Sequence, residues 1–196
     1  MGVDDNMAKK QQPIMSYYDE RYMAHSGLIQ WSEAVIRQAE RIDEVFAIIR
    51  QMIFDHKKRS ENLRSLHTEC HYFSIAAYKV TEHLKWLKKF ENDDDYDLFE
   101  NVDFSGINKF TKGDLYRNLK DLRDMREHVV EYFRGGGYFL DRWRAEGPGG
   151  VADASSMIGN MIGGRLDYVE FSNIVKGYLP ALIEEPLPYL PDPFNE

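Results

Sequence analysis

The sequence lacks the features that would assign it to a secreted, membrane or zinc-finger class. Its 196 residues contain one cysteine, Cys70, so neither an internal disulfide nor a cysteine-based zinc site can form within the chain. No run approaches the roughly 18 uncharged apolar residues that a membrane-spanning helix needs. The N-terminal residues lack the apolar core of a signal peptide. We therefore expect a cytoplasmic protein that makes no membrane contact.

Basic charge and phosphate-binding loops are scarce as well. The chain has 25 Lys and Arg against 33 Asp and Glu, a formal net charge of -8. This balance argues against broad, non-specific nucleic-acid binding, although an acidic protein can still carry a local basic patch. The run Gly135-Gly136-Gly137 neither follows a strand nor precedes Lys-Ser or Lys-Thr, as a nucleotide-binding loop would. We expect no cofactor.

What the chain does contain is long helical periodicity. Apolar residues recur every three or four positions from about Leu28 to Arg59, and again more strictly over residues 60–91, which predicts two amphipathic helices packed lengthwise. Ser60 is the expected cap between them, with the basic run 57–59 closing the first helix. A third helix is predicted from about Thr111 or Asp114 to Phe133.

The C-terminal third shows turn signals instead. Gly159-Asn160, flanked by Met and Ile, predicts a small β-hairpin at about residues 155–166. Asp167 is the predicted cap of a final helix from about Tyr168 to Glu184. The acidic stretch 91–104 lacks the spacing of an EF-hand and is interpreted as a solvated loop.

Together these patterns predict an all-α protein, an antiparallel up-and-down bundle of four or five helices with a small C-terminal β-hairpin. The predicted organisation is a flexible N-terminal arm over residues 1–26, a single helical domain over 27–185, and a Pro-rich tail over 186–196.

The most specific motif lies on the third helix, where Arg123-Asp124 is followed after three residues by His128. This resembles the R-x4-6-H motif of the HEPN superfamily, in its form Arg-(Asn/Asp/His)-x-x-x-His, on a late helix of an antiparallel bundle. The resemblance covers about residues 28–134. It implies a metal-independent endoribonuclease of the toxin or defence type, with Arg123 and His128 catalytic and Asp124 supporting them.

These residue types suit that chemistry. Arginine binds two phosphate oxygens at once and can stabilise the charge that develops on phosphorus. Histidine can act as general acid or base when an RNA 2′-hydroxyl attacks its own phosphate. Asp124, four residues before His128, lies on the same helix face and could fix its tautomer. The resemblance also implies a homodimer, RNA as substrate and a separately encoded antitoxin or partner protein.

Two other interpretations stay open. Charged residues between 117 and 127 alternate in sign at helical spacing, as on an ordinary solvated helix face, which favours a non-catalytic, dimeric interaction or scaffold protein. Alternatively, His67 and His71 are four residues apart and could chelate a metal with His56, if His56 ends the first of two antiparallel helices. The sequence thus leaves open whether the chain is an enzyme.

Overall fold

The computed structural model describes residues 17–52, 55–93, 96–128, 144–147 and 150–187. It confirms a mainly helical chain with a small C-terminal region of antiparallel strands. The helices are α1 Tyr17–Gln51, α2 His56–Leu87, α3 Leu98–Asn101, α4 Ser105–Asn108, α5 Gly113–Glu127 and α6 Tyr168–Glu184, and the strands are β1 Arg144–Gly147, β2 Gly150–Asp153, β3 Met157–Ile158, β4 Met161–Ile162 and β5 Leu166–Asp167.

Helices α1 and α2 form a long antiparallel pair. Glu20, near the start of α1, is 3.5 Å from Trp86 near the end of α2. Arg41, further along α1, is 3.9 Å from Glu69 in the first half of α2. The apolar stripes that the sequence predicts on both helices meet here, and Phe73 lies fully buried among them.

The junction between these helices differs from the predicted one. Asp55, rather than Ser60, caps α2, because its carboxylate accepts a hydrogen bond from the backbone N–H of Lys58 at 3.0 Å. The basic run 57–59 therefore lies in the first turn of α2 and does not close α1. His56 becomes the first residue of α2. An aspartate directly before the first turn of α2 accepts a hydrogen bond from a free backbone N–H of that turn, which the side chain of a serine inside the helix cannot do.

Helix α1 begins inside the stretch that the sequence assigned to the N-terminal arm. Residues 17–26, assigned by the sequence to the arm, belong to α1, and Ala24 and His25 are fully buried. Residues 1–16 of the predicted arm and 188–196 of the predicted tail lie outside the described residues.

Helix α6 packs antiparallel to α1 and closes the core. The Ser32 and Tyr178 hydroxyls hydrogen bond at 2.7 Å, and the Tyr168 hydroxyl donates to Asp43 at 2.5 Å. Asp167 caps α6 as predicted, accepting hydrogen bonds from the second and third backbone N–H groups of the helix.

The predicted hairpin is present, with Gly159-Asn160 as its two-residue turn between β3 and β4. Gly159 has φ of +57°, a conformation that costs glycine little and other residues much. A third strand, β5, pairs with β4, and a further hairpin formed by β1 and β2 precedes them. The sequence analysis did not identify these last three strands.

The acidic stretch is not the predicted solvated loop. Asp97, Glu100 and Asp103 are exposed, but the apolar residues between them are buried and the stretch contains α3. Those buried residues are Tyr96, Leu98, Val102 and Phe104. The segment acts as a lid on the core, since its apolar side chains face inward while its carboxylates stay hydrated.

Candidate functional site

Helix α5 runs antiparallel to α2, and the two helices meet along a strip of polar and aromatic side chains. Tyr116, near the start of α5, donates to Glu82 at 3.0 Å. Near the end of α5, Arg126 donates to the backbone carbonyl of His67 at 3.2 Å. We call this strip the α2–α5 seam; it consists of His67, His71, Tyr78 and Glu82 on α2 with Tyr116, Arg123 and Arg126 on α5.

Arg123 occupies the middle of the seam. Its guanidinium lies over the ring of Tyr78, 4.2 Å from the centroid, and its side chain is 23% exposed. It also pairs with Asp124 at 3.0 Å and Glu127 at 2.8 Å. Burial works against the charged form, but the Glu127 hydrogen bond and the Asp124 charge outweigh it and raise the pKa of Arg123. Arg123 is thus a fixed cation with two carboxylates beside it.

His128, the other half of the predicted motif, ends the helix. α5 stops at Glu127, and His128 is its C-cap residue, with its backbone N–H donating to the carbonyl of Asp124 at 2.9 Å. The His128 side chain is exposed. The predicted continuation of this helix to Phe133 lies outside the described residues. The structure therefore joins Arg123 to Asp124 directly and presents His128 about one turn further on.

Arg126 is a residue that the sequence analysis missed. One of its terminal nitrogens, Nη1, makes the hydrogen bond to His67, while Nε and Nη2 are buried and have no hydrogen-bond partner in the described part of the chain. Burial lowers the pKa of Arg126, against the opposing charge of Asp153. The spacing in the sequence could have indicated that Arg126 lies on the buried face of α5, because it follows Leu122 by four residues and Leu119 by seven.

His67 and His71 flank this arginine on α2. Burial, followed by the charge of Arg126, lowers the pKa of both imidazoles, so both are neutral at neutral pH. Cys70 lies between them in the chain and is buried; its thiol contacts Met157 Sδ at 3.3 Å. Burial raises the pKa of Cys70 to about 11, which keeps the sulfur protonated and unreactive.

The predicted metal set of His56, His67 and His71 is wrong. His56 starts α2 and lies eleven residues before His67 on the same helix, about 16 Å along its axis. A shared ion needs all three nitrogens about 2 Å away. Across residues 17–52, 55–93, 96–128, 144–147 and 150–187, no three His, Cys, Asp or Glu side chains are grouped so that they could hold a metal ion.

The far end of the seam is closed by an ion pair. Lys85 donates to Glu82 at 3.0 Å and lies over the ring of Tyr116, 4.2 Å from its centroid. This cation and carboxylate satisfy each other at the surface, where such pairs contribute little to stability. The unusual chemistry of the seam is therefore concentrated around Arg123 and Arg126.

Comparison with family models, curated proteins and solved structures finds no match to this chain. None of the helices within the described ranges has both the length and the apolar character needed to cross a membrane.

Proposed function

We propose that the chain is a HEPN-like cytoplasmic protein that cleaves RNA without a metal at the C-terminal end of α5. The observation that carries the proposal is the placement of the motif. Arg123 is oriented by its stack on Tyr78, and His128 stands exposed at the helix end about one turn further on. A guanidinium and an exposed imidazole are the two groups that metal-free phosphodiester transfer needs.

In this mechanism His128 accepts the proton of the RNA 2′-hydroxyl as that oxygen attacks the adjacent phosphorus, and the leaving 5′-oxygen takes a proton from water or from His128 of a second chain. The bond from phosphorus to the 5′-oxygen breaks, so the products are a 2′,3′-cyclic phosphate and a free 5′-hydroxyl. Arg123 neutralises the added negative charge on phosphorus. Asp124 orients Arg123 through the 3.0 Å pair, which is a different supporting role from the one that the sequence predicted.

One chain supplies one such pair. The HEPN resemblance implies that catalytic members act as dimers, which bring two motifs into one cleft. We therefore propose a homodimer as the active form, and a separately encoded antitoxin or partner protein as its regulator. Light scattering of the purified protein, with and without RNA, measures directly whether the chain forms a homodimer.

The test is cleavage of a mixed RNA pool in excess EDTA by the wild type and by Arg123→Ala and His128→Ala variants. Arg117→Ala is the matched control, because Arg117 is an exposed arginine on the same helix that pairs with Asp114. We expect both motif variants to lose at least about 100-fold in rate, and the control to keep the wild-type rate. Cleavage that persists in either motif variant contradicts the mechanism.

A second function is favoured by a specific observation. The charge of Arg123 is already matched by Asp124 and Glu127, and its face is covered by Tyr78, so Arg123 can serve simply to clamp α5 onto α2. In that case the chain is a non-catalytic interaction protein. Arg123→Ala would then lower the free energy of unfolding, and no RNA would be cut by the wild type at any concentration.

A further inference from the structure

Arg126 presents one complete edge of its guanidinium without a partner. Nε and Nη2 point the same way and together form the side of the fork that binds two oxygens of a phosphate or carboxylate. Both atoms are buried, and neither has a hydrogen-bond partner in the described ranges. Buried charged donors are normally paired, because leaving them unpaired is costly. The two N–H groups of this edge therefore lack an acceptor in the described ranges, and an oxyanion could supply it.

The surroundings of this edge supply further donors. His67 and His71 lie one helical turn apart on α2, and the charge of Arg126 acts on both. As neutral imidazoles, each carries one N–H that can donate. The His67 side chain is exposed, so at least one of these imidazoles is in contact with solvent. The exposed imidazole of His67 and the half-buried imidazole of His71 are thus the solvent-facing part of a group whose guanidinium edge is buried.

The nearby carboxylates do not close the edge. Asp153 on β2 acts on Arg126 through its charge, but its Oδ1 accepts hydrogen bonds from the Ser155 N–H at 2.8 Å and the Ser155 hydroxyl at 2.5 Å. Glu127 is committed to Arg123 at 2.8 Å. Glu69 faces Arg41 of α1 at 3.9 Å. Asp153 and Glu127 thus have hydrogen-bond partners other than Arg126, and Glu69 has an ion-pair partner in Arg41.

We propose that Arg126, His67 and His71 form a binding site for a phosphate group, separate from the Arg123–His128 motif. A phosphate fits better than a carboxylate, since it can give two oxygens to the arginine edge and keep others for the imidazoles. The site stands whether or not the chain cleaves RNA. Its ligand is either a free phosphate or nucleotide, or a phosphate of the RNA backbone, and the two sources separate in the test.

The test follows the ring resonances of the six histidines by NMR while inorganic phosphate replaces chloride at constant ionic strength. We expect the His67 and His71 signals to shift with saturation. His25 and His83, which lie on other contacts of the fold, should stay unchanged, and they serve as controls within the same molecule. Equal shifts of all histidines, or no shift up to tens of millimolar phosphate, would overturn the site.

Variants give a second measurement. Arg126→Gln keeps much of the side-chain volume and should weaken phosphate binding by at least about tenfold, whereas Arg117→Gln on the same helix should not. If Arg126→Gln unfolds, Arg126→Lys keeps the charge without the two-pronged edge and should also bind more weakly. Wild-type affinity in a folded Arg126 variant contradicts the proposal.

A short RNA oligonucleotide identifies the source of the phosphate. If RNA moves the His67 and His71 signals and competes with inorganic phosphate, the site belongs to an RNA surface; if RNA leaves them unmoved while phosphate or a mononucleotide binds, the ligand is small. A failure of the proposed RNA cleavage can be distinguished from a failure of the proposed phosphate site. Arg123→Ala removes the motif arginine and should leave the phosphate titration intact.

Discussion

Two glycines inside helices should respond in opposite directions to the same substitution. Gly27 lies in the interior of α1, at its contact with α2, where a Cβ would come within 3.0 Å of His83 Nε2 and nearer still to two other ring atoms. Gly177 lies in the interior of α6, where a Cβ would meet nothing within 4 Å. We expect Gly27→Ala to destabilise the protein and Gly177→Ala to stabilise it.

The magnitudes follow from two terms. Replacing glycine by alanine inside a helix stabilises the folded state by about 0.8–1 kcal/mol at either position. At Gly27 the His83 ring must also move, and it would give up its packing beside Trp86. Overpacking of this kind costs about 1–3 kcal/mol. The net loss is therefore up to about 2 kcal/mol.

Urea unfolding of both variants, followed by far-UV circular dichroism, measures these changes. A Gly27→Ala/His83→Ala double variant isolates the cause, because without the imidazole the new methyl group has room. In that background Gly27→Ala should become neutral or stabilising, a coupling of at least about 1 kcal/mol. If Gly27→Ala stabilises the wild type as much as Gly177→Ala does, the close approach of α1 to His83 is not as described.

Two further predictions concern the cap of α6 and the response to acid. Asp167→Ala should cost about 1 kcal/mol of unfolding free energy, while Asp167→Asn should nearly preserve it and Asp97→Ala, at a helix start without a side-chain cap, should change little; equal losses in all three would contradict the capping role. Burial, against a hydrogen bond to the Leu182 backbone and the charge of Glu185, lowers the pKa of His25 from 6.5, so below pH 6.5 the unfolded chain takes up a proton that the folded chain does not. The free energy of unfolding should therefore fall as the pH is lowered from 6.5 to 5, which is above the range in which carboxylates titrate. His25→Gln should make this dependence on pH shallower, and equal slopes in the wild type and the variant would refute the prediction.

The elements that could be predicted are those whose signals are local. Gly159-Asn160 defines a two-residue turn by itself, and Asp167 caps α6 with its own carboxylate. The junction at residues 51–56 was placed wrongly because the basic run 57–59 suits the end of one helix as well as the beginning of the next. Asp55 resolves that ambiguity through a hydrogen bond over three residues, which periodicity alone does not identify.

The candidate site was predictable in the same uneven way. Arg123, Asp124 and His128 lie within six residues, so a pattern in the sequence could indicate them. Arg126 depends on His67, which is 59 residues away in the chain. Its buried environment arises only when α5 docks on α2, and no spacing rule within α5 supplies the partner. The metal prediction was wrong for a related reason, because it depended on which helix His56 belongs to.

The two arginines of the seam lie three residues apart and differ in what remains unsatisfied. A phosphate that approaches Arg123 must compete with Asp124 and Glu127, which already pair with it. A phosphate that approaches Arg126 meets an edge with no competitor hydrogen bonded to it among the described residues. Binding energy should therefore come mainly from Arg126, while Arg123 can act on charge that develops later, when a stronger anion displaces its carboxylates. Under the proposed RNA cleavage, ground-state binding and transition-state stabilisation would be separated on one helix, which is the separation that raises a rate rather than merely an affinity.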